Sequence, residues 1–262
     1  MSDERDSLPA RTGRAVFDLA RTVGGIALLA ARLARRLVPP RVDGPELARN
    51  LHRAGVRSLP IVAVTALFTG AIMVIQAGVI IRRYGAEGLL GWGAGFATLR
   101  EVAPILIALM FSGRVGANNA AELGTMRVTE QIDALTTLST DPFKYLVVPR
   151  LIAGILTLPF LVLIADIIGV LGGFLVGVYK LDFNDAAYLR NTMDFLQFQD
   201  VFSGLVKAAV FGFLITLMGC YHGYTSRGGA QGVGMATTSA VVSASILILT
   251  FNYFITEAFF AR

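Results

Sequence analysis

The sequence predicts an all-α, polytopic membrane protein with about five transmembrane helices, and three observations carry that prediction. Of its 262 residues 55% are hydrophobic and only 16% charged, against about 25% charged in ordinary soluble domains. Two runs, 58–81 and 232–256, carry no acidic or basic side chain over 24 and 25 residues, and a helix needs about 20 predominantly apolar residues to cross a bilayer. The mean hydropathy is +0.65, and the 28 glycines suit membrane helices, whose close approach depends on small residues.

The elements follow in chain order. Residues 11–37 place Phe17, Ala20, Leu28 and Leu29 at helical spacing among Arg14, Arg21, Arg32, Arg35 and Arg36. With Gly24-Gly25 in the middle this is a poor spanning helix, and it reads as an amphipathic helix in the headgroup layer. Pro39-Pro40 ends it, and a short helical piece over 45–57 completes an interfacial region, 1–57. The remainder, 58–262, opens with a first span over 58–82, closed by Arg82-Arg83 and followed by a glycine-rich link around Trp92. A second span, 97–121, is impure: it holds Arg100, Glu101, Arg114, Asn118 and Asn119. After a polar segment, Asp141-Pro142 reads as an N-cap with proline at the first helical position.

The third span, 145–179, is broken by Arg150 and Asp166. Its 35 residues measure about 52 Å at 1.5 Å each, more than the roughly 30 Å hydrocarbon core, so it must project, tilt, or bend near Pro149 or Pro159. An acid-bearing segment, 180–200, leads to a fourth span, 201–222, holding Lys207. A glycine-rich loop, 224–234, precedes the fifth span, 233–257.

Charge orients these spans. Residues 1–57 hold eleven of the twenty arginines against six acids, an excess equal to the whole net charge of +5. The positive-inside rule places that end in the cytoplasm. Arg227 and segment 122–144 are then cytoplasmic, and 180–200 and Arg262 lie outside. Arg82 and Arg83 dissent mildly. A membrane surface explains the arginine cluster without nucleic acid. No cleavable signal peptide is expected, since the chain is polar through residue 14 and the first spanning run starts at 58. The single cysteine, Cys220, allows no disulfide within the chain.

The stretch Gly124-Thr-Met-Arg-Val-Thr-Glu-Gln-Ile-Asp-Ala-Leu135 interrupts this apolar chain. As one helix over 124–138 it places Val128, Ile132 and Leu135 on a single stripe, with Arg127, Thr129, Glu130 and Asp133 elsewhere. Composition does not choose between an amphipathic helix resting on the membrane and a helix presented to a cytoplasmic partner.

Residues 100–150, REVAPILIALMFSGRVGANNAAELGTMRVTEQIDALTTLSTDPFKYLVVPR, closely resemble the signature region of the MlaE (YrbE) permease family. FTGAIMVIQ at 68–76, the five-span layout and the loop before the last span extend the resemblance over most of the chain. It implies a permease subunit of an ABC transporter that moves phospholipids or related lipids between inner membrane and a periplasmic carrier, maintaining outer-membrane lipid asymmetry. The implied setting is a multi-pass homodimer in the bacterial inner membrane. An MlaF-type ATPase, an MlaD-type MCE-domain protein on the periplasmic face and a small STAS-domain protein of the MlaB type would be its partners. The segment matching 124–135 would be the coupling helix, with Arg127, Val128, Glu130, Gln131, Ile132 and Asp133 as coupling residues. Glu130 and Asp133 would meet the ATPase, and Val128 and Ile132 would hold the helix against the permease body.

Ionisable residues inside spans are costly and mark interiors or cavities. By helical rise Glu101 lies about 6 Å and Lys207 about 10 Å inside the outer end of their spans. Arg100 is adjacent, and Asp166 falls near the same side. A Glu101–Lys207 pair is either a structural clamp between helices or the polar lining of a headgroup cavity, and the resemblance favours the lining. Asp166 and Asp200 are weaker candidates. Acyl walls would come from spans one and five, for example Leu67, Phe68, Met73, Val74 and Ile75, positions that ordinary packing explains equally well.

No catalytic residue, metal site or cofactor is expected. A nucleotide phosphate loop needs glycines followed by Gly-Lys-Ser/Thr, and none of Lys144, Lys180 and Lys207 follows a glycine. His52 and His222 are isolated in sequence, whereas metal sites need converging ligands. Two alternatives stay open at this level: an integral-membrane lipid-modifying enzyme and a non-transporting membrane scaffold. Copurification of an ATPase that hydrolyses ATP only with this subunit separates them from a permease.

Overall fold

The computed structural model describes residues 44–84 and 90–260, together with Phe17, Ala20, residues 24–28 and Ala31. Most of the expected amphipathic helix over 11–37 therefore lies outside the described residues, as does Arg262. Where it is described, it touches the bundle: Ile26 packs on the main core and Gly25 lies against Tyr221.

All described regular structure is helical, and five helical runs among the described residues are long and apolar enough to cross a membrane. The protein is thus an all-α polytopic membrane protein. Helix α1 (Gly44–Ala54) carries Glu46 in its first turn and His52 and Arg53 in its last, charges that complement the helix dipole. A single tight turn, Val56–Ser58, joins it to α2 (Leu59–Tyr84).

The second crossing is one continuous run with two widened turns. It comprises α3 (Leu90–Ala97), a π-helical turn Thr98–Val102, α4 (Ala103–Phe111), a second π turn Ser112–Gly116, and α5 (Ala117–Val128). The expected glycine-rich link is therefore helix from Leu90 onward. Gly91 explains why the chain tolerates glycine there: a Cβ on it would meet the Tyr188 carbonyl at 2.8 Å. The first half of the polar stretch is likewise the end of this crossing, not a separate helix.

After α6 (Gln131–Thr137), Asp141 Oδ1 accepts a hydrogen bond from Phe143 N at 3.1 Å, the capping read from Asp141-Pro142. A π turn, Phe143–Val147, then leads into α7 (Val148–Tyr179), which runs through Pro159 without a break. Proline cannot donate to the carbonyl four residues earlier and crowds it. Two of the three π turns sit just ahead of a proline, Pro104 and Pro149, where the widening relieves that crowding. Outside the crossings, α8 (Asp185–Phe195) starts at Asn184, whose side chain accepts from Ala187 N. Finally come α9 (Phe198–Tyr224) and α10 (Gly229–Phe260). Most of the expected loop over 224–234 is thus the start of α10. Gly228 and Gly229 have φ of +90° and +68°, and they turn the chain into it.

α7 is the spine, flanked by α2 and α9, while α5 and α10 pack on the far side of α9. Leu151, Leu158, Val162, Phe211, Ile215 and Met218 are essentially inaccessible in the resulting core. Backbone contact replaces side-chain interdigitation at the crossings. A Cβ on Gly70 would sit 1.9 Å from the Gly169 carbonyl, and one on Gly212 would sit 2.4 Å from that of Gly154. A satellite cluster of Val74, Ala94, Phe183 and Tyr188 ties α8 to the bundle, and burial pushes the Tyr188 phenol up to about 12.

Candidate functional site

At one end of the bundle four charged side chains from two crossings meet. Lys207 on α9 has no exposed side-chain surface. Its Nζ donates to Glu101 Oε1 at 2.6 Å and to the Arg100 carbonyl at 2.9 Å. That carbonyl is available because Pro104, four residues on, has no N–H to give it. Glu101 also accepts from Asn252 Nδ2 at 2.9 Å and from Thr256 Oγ1 at 3.0 Å, both on α10. Arg100 pairs with Asp200 at 2.5 Å, and its guanidinium lies 4.1 Å from the Phe96 ring centroid and 3.9 Å from that of Phe260. Asp200 Oδ2 accepts from the Gln197 amide at 3.0 Å, closing the first turn of α9.

The cluster is electrically balanced, Arg100 and Lys207 against Glu101 and Asp200, which lowers the cost of holding charge away from water. It is not sealed. The Glu101 side chain is 36% exposed and that of Arg100 20% exposed, so one face remains open. The π turn at 98–102 presents both neighbours, and such turns recur at functional positions.

The sequence expectation of a Glu101–Lys207 pair with Arg100 beside it agrees with this geometry, and Asp200 joins it. Other expected residues do not. Asp166 is buried on α7, and neither carboxylate oxygen has a hydrogen-bond partner among the described residues; it belongs to no part of this cluster. Val74 is packed in the satellite core. Leu67 and Phe68 are exposed on α2, while Met73 and Ile75 are half-buried there. α2 packs mainly on α7, which places these five residues across the spine from α9. Phe96, Asn252, Thr256 and Phe260 escaped the sequence reading. Pro104 following Arg100 was the legible signal for a freed carbonyl, whereas nothing local foretold the α10 donors.

The opposite end carries a second polar constellation and the corner out of the second crossing. Residues 101 and 122 are 21 positions apart, about 32 Å along a helix, close to the hydrocarbon thickness. There Glu122 on α5 pairs with Arg150 on α7 at 2.9 Å and with Arg53 on α1.

Beyond it the chain turns sharply. Thr129 ends α5, and Glu130 takes a left-handed φ of 58° before α6 begins. A single helix over 124–138 does not form. The break separates the expected stripe: Ile132 is buried and Val128 exposed, so Ile132 alone anchors the corner, with Leu135 partly buried behind it. Arg127 Nη1 donates to Asp133 Oδ1 at 2.7 Å and bridges the turn. Glu130 and Gln131 point outward and are exposed, and Ser139, with φ of 57°, closes the corner on the other side.

Chemically, the arrangement can bind and move, but it holds no nucleotide loop, and no group of three or more metal-ligating side chains gathers among the described residues. Comparison with known proteins gives the same direction. Residues 47–258 match the family described as Permease MlaE. The chain is 53% identical over 248 residues to a probable ABC transporter permease protein of Rickettsia conorii, covering 95% of this chain and 96% of that one. It is 32% identical over 253 residues, 95% of each chain, to the intermembrane phospholipid transport system permease protein MlaE of Haemophilus influenzae. It is also 34% identical over 240 residues, 90% of this chain and 67% of the other, to the chloroplastic protein trigalactosyldiacylglycerol 1 of Arabidopsis thaliana. With a multi-pass helical bundle, a charged cluster set among its helices and a match over most of its length, the chain belongs to the MlaE family of ABC transporter permeases.

Proposed function

We propose that this chain is the membrane subunit of a transporter that moves phospholipids between the inner membrane and a periplasmic carrier, in support of outer-membrane lipid asymmetry. The observation that carries the reading is the second crossing itself. One continuous helical run joins Arg100 and Glu101 at one end to the Glu130–Gln131 corner at the other. Displacement of the corner by a nucleotide-driven partner is transmitted along that run, and the two π turns are where it yields. The cluster of Arg100, Glu101, Asp200 and Lys207 is the headgroup end: a phosphate meets Arg100 and an amine or hydroxyl meets Glu101 on the open face. The Haemophilus relative, a permease protein of an intermembrane phospholipid transport system, supports phospholipid as substrate.

In this reading the protein works as a homodimer, and ATP hydrolysis belongs to a separate MlaF-type subunit seated on the corner. An MlaD-type MCE-domain protein receives lipid at the periplasmic face, and an MlaB-type STAS protein sits on the ATPase. The chain itself catalyses no bond change.

The test is reconstitution. The chain is purified with whatever ATPase accompanies it and placed in proteoliposomes containing labelled phospholipid and the soluble carrier. ATP-dependent transfer of label that is absent without this chain is expected. Isolation of the chain free of any ATPase, with label moving equally well without ATP, would refute the proposal.

A further inference from the structure

The polar constellation of Glu122, Arg53 and Arg150 borders a cavity of about 420 Å³, lined among others by Arg53, Arg57, Arg114, Asn118, Glu122 and Arg150. Four arginines face one carboxylate. Glu122 is already shared by Arg53 and Arg150, while Arg57 and Arg114 make no ion pair among the described residues. Arg150 is only 6% exposed, and its Nε and Nη1 have no hydrogen-bond partner among the described residues. Unpaired buried guanidinium N–H groups are expensive, and planar forked donors match phosphate oxygens. An excess of three positive charges around a polar cavity is built for an anion.

Depth narrows the anion. The helical run Phe143–Tyr179 spans 37 residues, about 55 Å, and overhangs a bilayer of about 40–45 Å including headgroups. Arg150 lies seven residues inside its start and Glu122 six residues inside the end of α5, roughly 10 Å from either end. That is headgroup depth, below the corner that would meet a protein partner.

We propose that this cavity binds the phosphate of a phospholipid headgroup drawn from the leaflet at that end. It is a second lipid site, about one membrane thickness away from the Arg100–Glu101–Lys207 cluster. The choice of lipid as ligand rests on the phospholipid-permease reading, but the test needs no transport.

The full-length chain carries a benzophenone amino acid in place of Asn118 and is held in nanodiscs of phosphatidylcholine and phosphatidylglycerol. Irradiation is expected to give an adduct with isotope-labelled phosphatidylglycerol, competed by added unlabelled phosphatidylglycerol and not by diacylglycerol, which lacks the phosphate. Arg57→Gln with Arg114→Gln removes two exposed cations without stranding a buried one. It should lower adduct yield about tenfold or more, a charge-assisted contact being worth at least about that factor. Competition by diacylglycerol as effective as by phosphatidylglycerol overturns the proposal, and it does so in the unsubstituted arginine background, independent of any folding effect. An undiminished adduct in the folded double variant overturns it too. So does an adduct on residues 1–43 or on a copurified protein, which would make the cavity a protein dock. Loss of the lipid adduct in millimolar inorganic phosphate with no lipid preference would make it a free-anion site instead. An adduct obeying the expected pattern in a chain that transports nothing would sink the transport reading and leave this site standing.

Discussion

Truncating Glu101 should harm the protein more than neutralising Lys207, although the two form one ion pair. The asymmetry follows from what each partner leaves behind. In Glu101→Ala the Lys207 ammonium keeps only the Arg100 carbonyl and has no access to solvent. Leaving a buried charge uncompensated costs about 3–5 kcal/mol. In Lys207→Met the Glu101 carboxylate keeps two donors, Asn252 and Thr256, and a 36% exposed face, so the loss is about 1–3 kcal/mol. At roughly 2–4 °C per kcal/mol for a chain of this size, Glu101→Ala should lower the apparent Tm by about 6–20 °C. The double variant removes the stranded ammonium and should be more stable than Glu101→Ala alone. Size-exclusion chromatography of heated, detergent-solubilised protein measures all three. Equal losses that simply add in the double variant would refute the argument that Lys207 depends on Glu101. A fourth variant decides between clamp and headgroup site: Glu101→Gln in assembled complexes should retain less phospholipid by mass spectrometry, and normal lipid content there would leave only the clamp.

Further outcomes concern the Glu130 corner, the glycine contacts and the orientation. Glu130→Gly should leave folding intact or gain a few tenths to about 1 kcal/mol, because φ of 58° favours glycine. The same variant, and Glu130→Lys with Asp133→Lys, should weaken ATPase copurification, and normal transport in the double reversal would exclude a docking role. Gly70→Ala should abolish the folded protein, since its Cβ would meet the Gly169 backbone at 1.9 Å. Gly154→Ala meets the Thr216 hydroxyl at 2.0 Å and should be partly rescued by Thr216→Ala; thermal stability of the three variants checks this. For orientation, a membrane-impermeant maleimide should label Arg190→Cys from outside and spare Ala230→Cys in intact cells, with buried Cys220 silent. The reverse pattern would invert the topology.

Fold class was readable from the chain alone because crossing a bilayer is a local requirement. Length and apolarity within one segment suffice, and the uncharged runs 58–81 and 232–256 declare themselves. The Glu101–Lys207 pair was legible for a related reason: charge inside a span is expensive, and two opposite charges at the same depth lower that cost together. Where helices end was less legible. Apolar content does not mark the left-handed turn at Glu130, which splits the expected stripe of Val128 and Ile132, and glycines at 91–95 and 229–234 look like loops although they lie in helices, with Gly91 and Gly232 set against the carbonyls of Tyr188 and Arg227. Which crossing lies beside which was decided by tertiary structure only. Helices of similar hydropathy are interchangeable in sequence, and it is the backbone contacts at Gly70–Gly169 and Gly154–Gly212 that set α7 between α2 and α9. That order carries Leu67 and Phe68 away from the charged cluster, brings Asn252 and Thr256 to Glu101, and gathers Arg53, Arg114 and Arg150, which lie 61 and 36 positions apart in sequence, around one cavity.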